Sequence, residues 1–244
     1  LCLVIGSASC HKRFDQALVF MPANEKARVQ FISYVTNDKK ELLHTMEYYD
    51  RQYLRADTVG NQIVHYYIEQ NQIKRFYTDP QGAIHQEVKV DLATFALQGG
   101  FRYQAPALFS YWKTAYDKRD GIGTSWKFKV DTTFAAVDSL GRTHALRYTA
   151  SGKARLAGWT KLIVPADRTR KLDVVQVKWP EFENQLYDIT SGDWVWRQQG
   201  KADDFFEPTF GLVRSMADYT QKTGNRPAVA RSSTYELYLM ILPE

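Results

Sequence analysis

Three observations predict a mainly β fold, one large curved antiparallel sheet of about a dozen strands, either an open half-barrel or a β-sandwich. Short runs of Val, Ile, Tyr, Thr and Phe recur along the chain. Turn signals carrying Gly, Asn or Asp separate them at short intervals. Only one stretch carries a helix signal.

The elements follow in order. Arg28 to Thr36 reads as a strand, turning at Asn37-Asp38-Lys39-Lys40. Leu42 to Arg55 is a longer strand carrying Tyr48, Tyr49 and Tyr53, with a turn near Gly60-Asn61. Gln62 to Gln70 pairs with Ile73 to Thr78 across Asn71-Gln72. Asp79-Pro80-Gln81-Gly82 is the strongest turn signal, because proline presets one corner and glycine accepts the positive φ after it. Ile84 to Val90 closes the first set. Residues 91–120 break the rhythm with Gly99-Gly100 and with Pro106 ahead of Ala107-Leu108-Phe109-Ser110-Tyr111-Trp112. A proline in a first turn predicts a short helix there, so the segment reads as a helical connector. Strands resume at Trp126 to Ala136, turn at Asp138-Ser139-Leu140-Gly141, and return through Thr143 to Ala150. Further strands are expected at Lys153 to Val164, Lys171 to Trp179, Gln185 to Ile189, Trp194 to Gln198, Gly211 to Met216 and Ser233 to Ile241. A search for internal repeats finds only hairpin rhythm. Residues 11–244 are read as a single β domain, with the connector near 91–120 as the place where two units would divide.

The opening L-C-L-V-I-G-S-A-S-C reads as the tail of an export signal, a short apolar run passing into small residues and then into His11-Lys12-Arg13. Residues 1–10 are thus a signal-peptide remnant or lipobox. Cleavage after Ala8 would release a soluble protein, and cleavage before Cys10 would make that cysteine the lipidated first residue. Ser7 stands where a lipobox carries an aliphatic residue. The competing reading makes Leu1 to Ile5 a first buried strand. Cys2 and Cys10 are the two cysteines. If Cys2 leaves with the signal, no internal disulfide forms and the fold rests on packing. Hydrophobic residues at 44% and aromatics at 14% supply the core. The net charge of +5 is spread along the strands rather than gathered into a stripe, which argues against nucleic-acid binding. The densest basic stretch, Arg168-Thr169-Arg170-Lys171, reads as a solvated turn before it reads as a contact with anionic lipid.

Gly123-Thr124-Ser125-Trp126, Ile163-Val164-Pro165-Ala166-Asp167 and Phe206-Glu207-Pro208-Thr209-Phe210-Gly211-Leu212-Val213 together resemble a set of poorly characterised exported bacterial envelope proteins and lipoproteins. In those proteins a glycine-aromatic strand start, a V-P-A-G-like turn and an a-P-x-x-G-L-V strand entry recur in that order. Asp167 departs from their glycine. The resemblance covers roughly residues 120 to 244. It implies an open half-barrel similar in general shape to the lipoprotein carriers LolA and LolB, and it transfers no catalytic residue.

The five histidines do not converge in the expected register: His44 falls opposite Ser33, His65 opposite Thr78, and His85 opposite Phe76. No metal set is therefore expected, and no cofactor. No G-x-S-x-G elbow is present. Glu181 with Glu183 would lie on one wall rather than flank a bond, and Asp203 with Asp204 reads as a solvated edge. An enzyme is not expected. Aromatics offer a binding surface instead. Adjacent pairs such as Tyr48-Tyr49 and Tyr66-Tyr67 send one ring to each face, and Trp194 and Trp196, two apart, should share a side. The candidate ligand-binding residues are Trp194, Trp196, Trp159, Tyr49 and Tyr67, with Cys10 as the lipidation site. The expected function is a non-catalytic binding or carrier module of the bacterial envelope, periplasmic or anchored to the outer membrane through Cys10. Its ligand would be an apolar molecule such as a lipid acyl chain. The alternatives are a structural lipoprotein docking on other envelope proteins, and a carbohydrate-binding protein or glycosidase. A void lined by Trp and Tyr would favour the carrier, a solid interior the docking protein.

Overall fold

A computed structural model describes residues 28–43, 46–70, 72–91, 108–119, 121–207 and 210–241. The expected signal, Cys10, His11, His44, the Asn71 turn position, Gly99-Gly100, Pro106 and Pro208 lie outside them. The described residues form twelve strands: β1 (Arg28–Asn37), β2 (Glu47–Val59), β3 (Gln62–Glu69), β4 (Gln72–Thr78), β5 (Ile84–Asp91), β6 (Leu108–Tyr116), β7 (Ser125–Val137), β8 (Thr143–Val164), β9 (Asp167–Asp188), β10 (Asp193–Glu207), β11 (Gly211–Thr223) and β12 (Val229–Ile241). They form one antiparallel sheet in the order β6-β5-β4-β3-β2-β1-β12-β11-β10-β9-β8-β7. Nearly every neighbour is also a sequence neighbour, as short turns dictate. The exception is the ladder between β1 and β12, which brings the two ends of the described chain together and curls the sheet into a nearly closed barrel.

The expected helical connector is not there: no helix occurs among the described residues, and Leu108 to Trp112 belong to β6. Phe109 and Tyr111 alternate with Ser110 and Trp112, and β6 takes its backbone bonds from β5, with Val90 opposite Phe109 and Val88 opposite Tyr111. The ladder and the aromatic packing outweigh what proline signals locally.

Two strands are far longer than expected. β8 and β9 have 22 residues each, where the sequence suggested two strands apiece. Straight, such a strand would span roughly 70 Å. Bulges bend them, at Lys153/Arg155 and Leu156/Gly158 of β8 against β9 and between Trp179 and Phe182 of β9, opposite Gly200/Ala202 of β10. Pro180 sits inside β9 at the place where neither neighbour supplies a ladder partner, so its missing N–H costs no bond. Gly211, which opens β11 at φ 73°, adopts a left-handed conformation that the sequence anticipated as a tight strand entry.

Alternation fills the interior with two clusters. The larger joins Phe31, Tyr67, Phe76, Leu156, Trp179 and Phe206, and the smaller joins Val90, Leu146, Tyr148, Leu186, Val195 and Trp196. Phe128 packs against both. A buried charged pair, Arg51 and Glu69, stands against the larger cluster. Arg51 donates to Glu69 at 2.7 Å and to the Tyr235 hydroxyl at 3.1 Å, and lies 4.7 Å over the Phe31 ring.

Candidate functional site

β6 and β7 are the two ends of the sheet, and among the described residues no ladder joins them. Side chains bridge the break. The Trp126 indole N–H on β7 donates to the Thr114 carbonyl on β6 at 2.9 Å. Tyr111 stacks on Phe128 with centroids 6.3 Å apart, and Phe109 meets Tyr148 edge-on at 5.1 Å. Phe109, Tyr111, Phe128 and Phe134 are only half-buried there, so aromatic surface is reachable at the seam. Burial pushes the Tyr111 hydroxyl up to about 12, and Tyr148, hydrogen-bonded to it, is raised for the same reason.

Lys113 lies on the same face of β6 as Phe109 and Tyr111. Its ammonium sits 4.0 Å from the Trp179 ring centroid and 5.3 Å from that of Phe128. Burial lowers its pKa, with Asp204 acting in opposition. Asp204 accepts the Trp179 indole N–H at 2.7 Å. Among the described residues, no carboxylate comes within ion-pair distance of Lys113.

A second feature crosses the sheet from β7 to β1. One transverse row runs Phe128, Gly152, Phe182, Gly200, Tyr219, Arg231, Asn37, each residue opposite the next. A Cβ on Gly152 would meet the Phe128 ring at 2.7 Å, and one on Gly200 would meet the Asp218 carbonyl at 2.2 Å. The two glycines thus let ring and backbone close over the row. Along it lies an open trough of about 1000 Å³, rimmed by exposed Lys127, Lys129, Lys153, Lys201, Glu181 and Asp218. Lys127 faces Lys153 directly across the β7–β8 ladder, a like-charge pair. A smaller cavity of about 430 Å³ lies beside Tyr48, Arg51 and Leu239.

Among the described residues, His65, His85 and His144 do not meet one another, but His85 and His144 occupy matching turns. Asp79-Pro80-Gln81-Gly82-Ala83-Ile84-His85 and Asp138-Ser139-Leu140-Gly141-Arg142-Thr143-His144 share the pattern D-x-x-G-x-x-H. In each, one carboxylate oxygen takes the N–H groups two and four residues on, and the other reaches the histidine Nε2, at 3.1 Å for His85 and 3.2 Å for His144. His144 also binds the buried Asp188 through Nδ1 at 2.6 Å, tying the β7–β8 turn to the β9–β10 turn. The register differs from expectation: His65 faces Phe76, and His85 faces Tyr77. Desolvation lowers the pKa of His65. The described residues contain no cluster able to hold a metal.

The aromatic residues singled out from sequence are not brought to one place. Tyr67 is buried between Tyr53 and Phe76, Tyr49 packs against Tyr235, and Trp159 lies partly buried at the edge of the larger cluster. Trp194 and Trp196 do not share a side. A bulge at Val195 shifts the register, so Val195 and Trp196 turn inward at 0% and 3% exposure while Trp194, 41% exposed, lies against Tyr187. Neither cavity is lined by any of these five residues. Of the carboxylate pairs, Glu183 is held by Arg197, while Asp203 and Asp204 bond to Gln176 and Trp179 respectively. Sequence reasoning missed Lys113. A lysine in the aromatic run F-S-Y-W-K was the available signal, hidden once the run was read as helix.

No family model matches the chain, and neither curated proteins nor solved structures contain a match.

Proposed function

We propose that this chain is a non-catalytic binding module of the bacterial cell envelope, carrying an apolar ligand such as a lipid acyl chain at the β6–β7 seam. The observation that carries the reading is a barrel whose described residues form no ladder at one junction, where half-buried Phe109, Tyr111, Phe128 and Phe134 lie instead. Side chains part without breaking a ladder, so a flexible chain can slide between the edges and exchange contact with water for contact with rings. An export address at residues 1–10, with or without lipidation of Cys10, would place such a carrier beside membranes. Native mass spectrometry of the protein taken from an envelope fraction in mild detergent is expected to show a lipid adduct that organic extraction removes, leaving a protein that binds a fluorescent fatty-acid probe. A bare mass together with no probe binding sinks the reading.

The trough favours a second reading, docking of another envelope protein. Its rims carry both signs of charge on a floor fixed by Gly152 and Gly200, a surface suited to an extended protein segment. Crosslinking from Lys153 or Lys201 in intact cells is expected to capture one reproducible partner under this reading, and none if the trough is idle.

A further inference from the structure

We infer that Lys113 is the counter-ion for the monoanionic head of a single-chain amphiphile whose tail lies along Phe109, Tyr111 and Phe128. The inference rests on the reading that an apolar chain enters the seam, and adds what that chain must carry at its end.

The inward positions of β6 run Phe109, Tyr111, Lys113, so alternation puts an ammonium where packing asks for another apolar group. The cation is partly compensated by the faces of Trp179 and Phe128. An aromatic face attracts charge but accepts no ordinary hydrogen bond, and an ammonium has three donors. The acid that acts on it, Asp204, already takes the Trp179 indole proton and forms no ion pair with it. Lys113 is half-buried, and an anion entering beside the rings would supply the acceptors that they lack. Trp179 is buried, but Tyr111, Phe128 and Lys113 itself are half-buried, so an incoming anion has a route past them. From Lys113 to Phe109 the strip runs about 13 Å along the strand, enough to hold several methylenes behind a head group. The head is monoanionic because one cation faces it. A carboxylate and a phosphodiester both meet that requirement.

The test uses displacement of a fluorescent probe from the purified, extracted protein by palmitate, lysophosphatidylglycerol and methyl palmitate. The two anions are expected to bind about tenfold or more tighter than the ester, and the tighter of the two identifies the head. Lys113→Met is expected to abolish that preference, acid and ester then binding alike, and Lys113→Arg to retain it. Wild-type protein carrying ¹³C-dimethyl lysines provides a readout free of substitutions, in which the Lys113 resonance should move with palmitate and stay with the ester. Equal binding of acid and ester, or a preference that survives Lys113→Met, overturns the role of Lys113 and leaves the apolar-chain reading standing. Failure of all three ligands to displace the probe overturns both.

Discussion

The two halves of the sheet meet twice, and the two junctions are built differently. Between β1 and β12 every residue of β1 has a ladder partner, from Arg28 opposite Ile241 to Asn37 opposite Arg231. Below that ladder Phe31 stacks on Tyr235 at 4.5 Å, and Arg51 joins Glu69 and Tyr235. Between β6 and β7 the described residues offer one indole-to-carbonyl bond and a few ring contacts instead. Backbone bonds form whatever the side chains are, and act together. Side-chain contacts can be lost singly and regained, which suits the second junction to admitting a ligand and the first to holding the barrel together.

The comparison can be broken by substitution. Phe31→Ala, at the laddered junction, should cost about 3–5 kcal/mol in urea unfolding, because a fully buried ring is replaced by a cavity. Gly200→Ala should cost about 1–3 kcal/mol, since the added methyl meets a carbonyl and the β10 and β11 backbones must part. Trp126→Phe should cost about 0.5–1.5 kcal/mol for the lost hydrogen bond. It should also speed amide exchange on β6 and β7 while leaving β1 and β12 slow. Equal acceleration at both junctions would show that they are not independent.

The smallest effect is one of pH. Burial opposes charge on His144, but hydrogen bonds to Asp138 and Asp188 outweigh it and raise its pKa above the ordinary 6.5. Its contribution to stability is complete below about 6.5 and is lost as pH climbs through the raised folded value. Asp138 runs the other way. Burial would raise it, yet the backbone N–H and guanidinium of Arg142, with His144, hold it well below 3.8. Its contribution is present above about 3.9 and is lost as pH falls through the depressed value. Tm should therefore decline on both sides of a plateau between about pH 4 and 6.5. His144→Asn should remove this group's share of the alkaline decline, and an unchanged alkaline limb would mean that other groups set it.

Much of the fold was legible because turns are local. Asp79-Pro80-Gln81-Gly82, Asp138 to Gly141 and Gly60-Asn61 announced their hairpins, and alternation split the adjacent tyrosines between two faces, with Tyr67 buried and Tyr48 exposed. What misled was local evidence overruled at a distance. Pro106 suggested a helix where Val88 and Val90 offered a strand partner. Spacing put Trp194 and Trp196 together until the bulge at Val195 reversed one of them. The paired D-x-x-G-x-x-H turns were written in the chain and overlooked, since three fixed positions in seven are easily lost among hairpins. Lys113 was visible as a residue, but nothing in its neighbours along the chain says that Trp179, 66 positions on, supplies the face it rests against.

By itself, the sequence determined the strand-rich character, most hairpins and the splitting of each tyrosine pair between two faces, because these depend on turn chemistry and a two-residue period. Only the tertiary structure decided that β1 would pair with β12, that β6 and β7 would stop short of pairing, and that a lysine would stand among rings at that gap. Closure depends on the accumulated bend and twist of twelve strands, a sum over bulges and glycines that no window of the sequence contains.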